Sequence, residues 1–414
     1  VAMRSPSPVR GGEEGISGTE PLIINLGYLM YGKELDILEK VHVVVERGFV
    51  KEVSEGWVRG GIDYRNSIAL PNMANSHIHL LDSLIQEACV GYDLATYVGS
   101  KGVKNPLVKL NFREASLRDV IAEDFWFYSA IGDFIELPEL CRKVRELMNE
   151  RGIEYVSMAC PMRVSEPDEL IRIAEACGGV GVVNPTNPHY LPTWALDTLS
   201  KISRDHVVAA HIGETERMMT IGGLEYLVYS GVRLRHVVHG VYLSEVDLVV
   251  LSENNITLVS CPSSNIWFTG RLPELHRAWL KGVSIAPGTD NAGCFKPDVW
   301  REANIIYSLI YSRLPYVSAR ELIRVLISSS LRALGLETPW FIEEGAKAFF
   351  TIMNAKPLGL AHSWDKHAAI LKRATSDLIE AVVKAESLIQ RGNACSDRCL
   401  DSELTNTAYG YYTH

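Results

Sequence analysis

Short apolar runs alternate with longer amphipathic stretches through the middle of the chain, from about residue 66 to residue 312. The short runs are rich in Val, Ile and Ala and have the length of buried β-strands, while the stretches between them have helical spacing. The pattern predicts eight strands, which end near residues 79, 137, 160, 184, 212, 243, 261 and 289.

Strands that alternate with helices indicate a parallel α/β sheet, and eight such repeats favour a closed (β/α)8 barrel, the TIM barrel, at residues 66–340. The flanking segments 21–65 and 341–373 contain β-rich pieces with too little apolar surface to fold alone. We therefore expect them to form one small β-sandwich built from both chain ends. Residues 1–20 are predicted to be a flexible tail, and residues 374–414 a C-terminal helix, at 374–389, followed by a polar tail.

Charge and hydropathy exclude several classes of protein. The 414 residues carry a formal net charge of −9, which disfavours nucleic acid or an anionic membrane as a partner. No apolar run reaches the ~18 residues that would cross a bilayer. The first twenty residues lack the apolar segment of a signal peptide, so we expect a cytoplasmic protein.

The eight cysteines do not have the spacing of a disulfide framework. Six are scattered through apolar segments and are predicted to be reduced thiols of the core: Cys89, Cys141, Cys160, Cys177, Cys261 and Cys294. Cys395 and Cys399 are predicted to be exposed thiols of the tail, because no second pair of ligands stands near them in sequence.

Side chains that carry chemistry follow the predicted strands at their C-terminal ends, where barrel enzymes hold their active sites. His77 and His79 lie two apart on the first strand and so point to one face. His211, His239 and Asp290 end the fifth, sixth and eighth strands. Any one of these residues is more often a structural or turn residue than a ligand. As a set, imidazoles and a carboxylate suit Zn²⁺ or Fe²⁺, and predict a metal centre.

The motifs around these residues resemble the amidohydrolase superfamily. Residues 70–79, LPNMANSHIH, are similar to its first-strand motif. HGVYLS at 239–244, SCPSSN at 260–265 and GTD at 288–290 resemble the cytosine deaminase and chlorohydrolase-like branch, which also holds guanine deaminases and deaminases of adenosyl compounds. The resemblance covers most of the chain.

The resemblance implies a role for each strand-end residue. Asp290 would also take the proton of the attacking water, which His239 would orient or polarise, and Glu214 would carry a proton to a ring nitrogen of the substrate. The divalent ion would make water a nucleophile by lowering its pKa to ~7. The ligands of that ion would be His77, His79, His211 and Asp290.

Two departures from the family pattern sharpen this interpretation. Two-metal members carry a carboxylated lysine at the end of strand four, where this chain has Asn184 and Pro185. We therefore expect a single metal ion, zinc in preference to iron. In this superfamily a single ion goes with deamination. Ser260 stands where the family often has a histidine. His236 is predicted to be structural, because strand alternation places it opposite His239.

The leading hypothesis is a metal-dependent deaminase of an aminated heterocycle: a purine, pyrimidine, pterin or nucleoside. The alternatives are a hydrolase of a cyclic amide, C–Cl bond or guanidine-like group, and a non-catalytic barrel. The expected partner is a small-molecule substrate, and the resemblance points to a homodimer. Five basic residues between strands one and two either bind an anionic group of the substrate or, as we expect, form a solvated basic loop: Lys101, Lys104, Lys109, Arg113 and Arg118. The candidate substrate contacts are Arg113, Arg163, Asn184, His189 and Asn265.

Overall fold

The computed structural model describes residues 21–160, 165–187, 190–216, 223–336 and 340–391. Its strands form two sheets, and in chain order they are β1 (Leu22–Tyr31), β2 (Asp36–Glu46), β3 (Phe49–Glu55), β4 (Ile62–Pro71), β5 (Asn75–His79), β6 (Ala130–Ile135), β7 (Glu154–Ala159), β8 (Gly179–Val182), β9 (Val207–Ile212), β10 (His236–His239), β11 (Thr257–Ser260), β12 (Ile285–Pro287), β13 (Asp290–Asn291), β14 (Phe349–Asn354), β15 (Ile379–Lys384) and β16 (Ser387–Gln390).

The helices of the described residues lie mostly between the barrel strands. They are α1 (Leu94–Val98), α2 (Lys104–Asn111), α3 (Glu114–Asp124), α4 (Cys141–Glu150), α5 (Pro167–Cys177), α6 (Ala195–Ile202), α7 (Gly223–Tyr229), α8 (Glu245–Glu253), α9 (Pro262–Thr269), α10 (Leu275–Leu280), α11 (Val299–Tyr311), α12 (Ala319–Ala333) and α13 (Lys366–Arg373), with short 3-10 helices at Leu80–Ile85, Pro138–Leu140, Leu360–His362 and Ser376–Leu378. None of these helices combines the length and the apolar character that a membrane crossing requires.

The barrel consists of nine parallel strands in the order β12-β11-β10-β9-β8-β7-β6-β5-β13. β12 and β13 are two parts of the eighth strand, separated by Gly288 and Thr289. β12 pairs with β11, and β13 pairs with β5 through Asp290 opposite Ile78, which closes the ring of strands. The predicted TIM barrel is confirmed.

Strand alternation explains why the barrel strands are almost wholly apolar. One set of side chains fills the barrel interior, among them Phe134, Met158 and Val259. The alternate set, which includes Ile131 and Leu258, packs outward in the large core shared with the helices. Because side chains on both faces of each strand are buried, the sequences of these strands are continuous hydrophobic runs.

The second sheet joins both ends of the described chain in the order β16-β15-β14-β4-β1-β2-β3. It curls on itself, since the backbone N–H of Val50 donates to Ala346 O (2.8 Å) and so brings β3 beside the segment that leads into β14. Its inner face holds a separate core, including Ile24, Val43 and Phe350. The two-layer packing expected of a β-sandwich thus comes from one continuous sheet. The domain limits at 65/66 and 340/341 stay a prediction.

The helix predicted at residues 374–389 is wrong, because that segment forms β15 and β16. Ala381 and Val383 enter the core of the small sheet, while Ile379 and Val382 enter the large core. A strand buried on both faces gives a short apolar run that periodicity alone does not distinguish from a helix. The predicted tails, with Cys395 and Cys399, lie outside the described residues.

Four of the cysteines that we predicted to be reduced form disulfides in the structure, which corrects that prediction. Cys89 pairs with Cys294 and Cys141 with Cys177, with Cα–Cα distances of 6.1 Å and 5.2 Å. The partners are 205 and 36 residues apart in sequence, so only the fold brings them within bonding distance. Among the described cysteines, Cys160 and Cys261 are the buried free thiols that we expected.

Candidate active site

The C-terminal ends of the barrel strands surround a pocket. Its floor is polar and is formed by residues that end β5, β9, β10 and β13, and its walls are largely apolar. The lining residues are His79, Leu94, Val98, Lys104, Glu136, Cys160, Val183, His211, Glu214, His239, Phe268, Asp290 and Asn291. His77 lies beneath this floor and is completely buried.

The candidate metal ligands converge below the pocket. Ligand atoms of His77, His79 and His211 lie within 4.8 Å of one another, and so do those of His77, His239 and Asp290. His77 Nε2 and His79 Nε2 lie 3.3 Å and 3.4 Å from Asp290 Oδ1. Neither ring nitrogen of His77 has a hydrogen bond to any described group. Because buried polar atoms are rarely left unpaired, and these donor types suit zinc or iron, the arrangement fits a divalent metal ion.

Electrostatics favour a positive charge in this place. Burial lowers the pKa of His77 to about 3 and that of His211 well below its ordinary value, so both rings are neutral, the form that ligates metals. Burial and Lys104 act to lower the pKa of His79, but Glu136 and Asp290 outweigh them and raise it to about 9. The surroundings of His79 therefore stabilise a cation.

Asp290 is held as a carboxylate by its neighbours. Burial acts to raise its pKa, but the imidazoles of His77, His239 and His79 lower it well below the ordinary value. Its second oxygen accepts a hydrogen bond from Ser264 Oγ. Asp290 and His239 also have left-handed backbones, with φ of +59° and +76°. Such conformations are costly for non-glycine residues and cluster at functional sites.

His239 and Glu214 form a pair at the edge of the pocket. Asn265 Nδ2 donates to His239 Nδ1 (2.9 Å), so in this arrangement the proton of the ring lies on Nε2. That atom is 3.8 Å from Glu214 Oε1. Burial raises the pKa of Glu214, which favours the protonated acid. The pair combines a hydrogen-bond donor with a carboxyl group that can give or take a proton.

The family model for amidohydrolases matches residues 68–385, which is most of the chain and contains every residue of the site described above. The chain belongs to the amidohydrolase family. This confirms the resemblance inferred from the motifs, and it makes the protein a hydrolase that acts on carbon–nitrogen bonds other than peptide bonds.

Individual relatives agree with this assignment. The amidohydrolase is 24% identical over 371 residues to 5-methylthioadenosine/S-adenosylhomocysteine deaminase of Pyrococcus furiosus. The alignment covers 81% of this chain and 87% of the relative. Its fold resembles a zinc-bound adenosine deaminase of Xanthomonas campestris, with a TM-score of 0.76, 16% identity, and coverage of 89% and 93%. It also resembles a zinc complex of atrazine chlorohydrolase from Arthrobacter aurescens, with a TM-score of 0.73, 14% identity, and coverage of 88% and 94%.

The expected substrate contacts of the amidohydrolase are only partly located. Asn265 lies behind His239 and does not line the pocket. Asn184 Oδ1 accepts from the backbone N–H of Thr186 (3.0 Å) and stabilises a turn. Arg113 is exposed and donates to Phe112 O (2.7 Å), beside a different cleft. None of these three side chains lines the pocket, and their roles as substrate contacts stay predictions. Arg163 and His189 lie outside the described residues.

Sequence reasoning missed three charged residues beside His79. Lys104, which we expected to be solvated, is only 3% exposed and lines the pocket of the amidohydrolase together with Glu136. Asp82 is completely buried next to Lys104. Glu136 follows β6 directly, so a carboxylate at the end of the second strand was an available signal. The structural role predicted for His236 agrees with its 2.8 Å hydrogen bond to Ala333 O.

Proposed function

We propose that this amidohydrolase is a metal-dependent hydrolytic deaminase of an aminated heterocycle, such as a purine, pyrimidine, pterin or nucleoside. The observation that carries the proposal is Glu214, a carboxyl group whose pKa burial raises and which faces His239 over the candidate metal ligands. An acid in this position can protonate a ring nitrogen while water attacks the adjacent carbon. Deaminases among the relatives support the same reaction.

One ion would be held by His77, His79, His211 and Asp290, with zinc preferred over iron. The unpaired ring nitrogens of His77 and the carboxylate of Asp290 support this ligand set, and zinc in the two related structures supports the choice of metal. When bound, a divalent ion lowers the pKa of water and so supplies a nucleophile at neutral pH.

The residues of the chain then divide the proton transfers. Asp290 accepts a proton from the attacking water, and His239 donates a hydrogen bond from Nε2 that orients the same oxygen. Glu214 gives its proton to the ring nitrogen next to the attacked carbon. The carbon–oxygen bond forms, and the tetrahedral carbon carries a hydroxyl and an amino group. The hydroxyl proton then passes to Glu214 as the carbonyl forms. The bond to the exocyclic nitrogen breaks as that nitrogen takes the proton held by Asp290, so ammonia leaves and both carboxyl groups return to their starting states.

The side chains that line the pocket support a substrate with an apolar ring. Leu94, Val98 and Val183 contribute aliphatic wall, and Phe268 contributes an aromatic side chain that stacks on Tyr97 with ring centroids 6.1 Å apart. Apolar walls above a polar floor suit a ring that is apolar on its faces and carries nitrogen atoms on its edge.

The test is ammonia release from a panel of amino-purines, amino-pyrimidines, pterins and their nucleosides, using protein whose metal content has been assayed. We expect ammonia from at least one class, loss of activity on chelation, and recovery with Zn²⁺ or Fe²⁺. Silence across the panel from metal-loaded protein would contradict the deaminase and favour a hydrolase of a cyclic amide, C–Cl bond or guanidine-like group. Protein that binds no ion would favour a non-catalytic barrel. A cytoplasmic location and a homodimer stay predictions.

A further inference from the structure

A buried group of three charged side chains lies directly behind His79. Lys104 Nζ is 3.1 Å from Asp82 Oδ2 and 2.5 Å from Glu136 Oε1. The side chains of Asp82 and Lys104 are 1% and 3% exposed, and that of Glu136 is 9% exposed. Removing three charges from water is costly, so a pure packing role would be served more cheaply by apolar residues.

The three residues come from separate parts of the chain that meet at the first barrel strand. Asp82 lies in the 3-10 helix Leu80–Ile85, three residues after His79, and Lys104 begins α2. Glu136 follows β6. The ammonium of Lys104 therefore joins two carboxylates that the sequence places 54 residues apart, and it fixes the position of Glu136 relative to β5.

Glu136 in turn contacts the ring of His79. Its Oε1 lies 2.8 Å from His79 Nδ1, and the carbonyl of Phe134 lies 2.9 Å from the same nitrogen. With two acceptors at Nδ1, that nitrogen carries a proton, so Nε2 is the ring atom that can bind a metal ion. Nε2 faces Asp290 and the candidate metal site. A carboxylate that holds the far nitrogen of a ligand histidine fixes both the tautomer and the ring orientation.

The charges of the buried groups also balance when a divalent ion is included. The carboxylates of Asp290 and Glu136 offset the two positive charges of the ion, while Lys104 offsets Asp82. Without Lys104, two carboxylates would face each other beside His79 with one negative charge in excess. Their repulsion would displace Glu136 and so weaken its contact with His79.

We propose that Asp82, Lys104 and Glu136 form a positioning relay that fixes the ring of His79 for the metal ion. The relay deepens the proposed function and rests on its metal centre, but not on the identity of the substrate. A competing role for Lys104, as a contact for an anionic substrate, makes a different prediction, because its loss would then leave the affinity for the metal unchanged.

The test measures metal binding alone, on the purified full-length protein. Zn²⁺ dissociation constants are obtained by competition with a chromophoric chelator, and the visible spectrum of Co²⁺-loaded protein reports the geometry of the ligands. The variants are Glu136→Gln and Lys104→Met, which keep the approximate shape of each side chain. Lys109→Met is the matched control, because Lys109 lies on the same helix but is exposed.

We expect Glu136→Gln and Lys104→Met each to weaken zinc binding by about 10- to 100-fold and to alter the Co²⁺ spectrum, with Lys109→Met unchanged. If Lys104→Met does not fold, Asp82→Asn replaces it and is expected to weaken binding by about 3- to 30-fold. Zinc constants and spectra equal to wild type in the folded variants would overturn the relay. If the substrate panel yields no ammonia while these constants shift, the relay stands and the deaminase proposal fails.

Discussion

The active-site end of the barrel and the small sheet both bury polar side chains, but they treat them differently. In the small sheet, Asn25 Nδ2 donates to Val58 O (2.8 Å) and Thr351 Oγ1 accepts from Asn72 (3.2 Å). In the barrel, both ring nitrogens of His77 and the hydroxyl of Ser260 are buried without a hydrogen bond to described groups. Among the described residues, every buried side-chain atom without a hydrogen bond belongs to the sequence segment from His77 to Asn265, and none belongs to a strand of the small sheet.

This difference separates stability from function. A buried polar atom without a partner costs roughly 1–3 kcal/mol, so a region that only needs to be stable pairs its polar groups, as the small sheet does. At the candidate metal site the barrel bears this cost at His77, together with the left-handed backbones of His239 and Asp290. Substitutions in the two regions should therefore affect different measurements.

The largest effect is expected at a metal ligand. His211→Ala should lose the ion and lower kcat by about 10³-fold or more, since the ion contributes several kcal/mol to the transition state. Metal analysis and kcat on the same preparation make the test. His206→Ala, at the other end of the same strand segment, is the control. Full metal content in His211→Ala would remove His211 from the ligand set.

Glu214→Gln separates proton transfer from metal binding. The amide keeps the shape of the side chain but cannot transfer a proton, so kcat should fall by about 10²- to 10⁴-fold. Metal content should remain at the wild-type level, because Glu214 is not among the candidate ligands. Metal analysis and kcat on the same preparation make the test, and a near-wild-type rate would show that the proton carrier is a different residue.

In the small sheet the opposite behaviour is expected. Phe350 is completely buried in the core of this sheet, and Phe350→Ala should lower the free energy of unfolding by about 3–5 kcal/mol. The kcat of the folded enzyme should not change. Phe49→Ala, at a side chain that is 46% exposed, should be nearly neutral by comparison. A large loss of kcat in folded Phe350→Ala would break the separation between the two regions.

Lys384 is an exception within the stable region and gives the smallest effect. Its Nζ donates to Arg151 O (3.0 Å), and burial lowers its pKa to about 7. Because the unfolded lysine binds its proton up to a pH of about 10.4, stability should decrease as the pH falls from about 10 to about 7 and level off below that. Lys384→Met should flatten this pH dependence and stabilise the protein at pH 7 by about 1–3 kcal/mol. Chemical denaturation at several pH values measures the stability of both proteins. If the variant and the wild type showed the same dependence of stability on pH, Lys384 would not be its source.

The sequence predicted the parts of the site that depend on strand periodicity. His77, His79, His211, His239 and Asp290 follow apolar strands, and parallel strands bring their C-terminal ends to one edge, so their convergence was foreseeable. The same periodicity predicted the barrel. It failed at residues 374–389, where burial on both faces hides the difference between strand and helix.

Contacts made by residues outside the strands were not predictable in this way. The sequence around Lys104 has the composition of an ordinary solvated loop. Lys104 is buried only because α2 packs against the barrel. Asn265 was assigned to the substrate because it follows a strand, yet the first turns of α9 direct it to His239. The cysteine pairs depend on distances in space, on which sequence spacing carries no information.

The neighbouring positions of β4 and β14 have a consequence for the order of folding. The chain leaves the small sheet through β4 and returns through β14, and the hydrogen bond between Asn72 and Thr351 joins residues 279 apart in sequence. Closing so long a connection has an entropy cost that falls sharply once the intervening chain is already compact. The barrel should therefore form first and present its two ends side by side, and the pairing of β4 with β14 should be a late step that secures them.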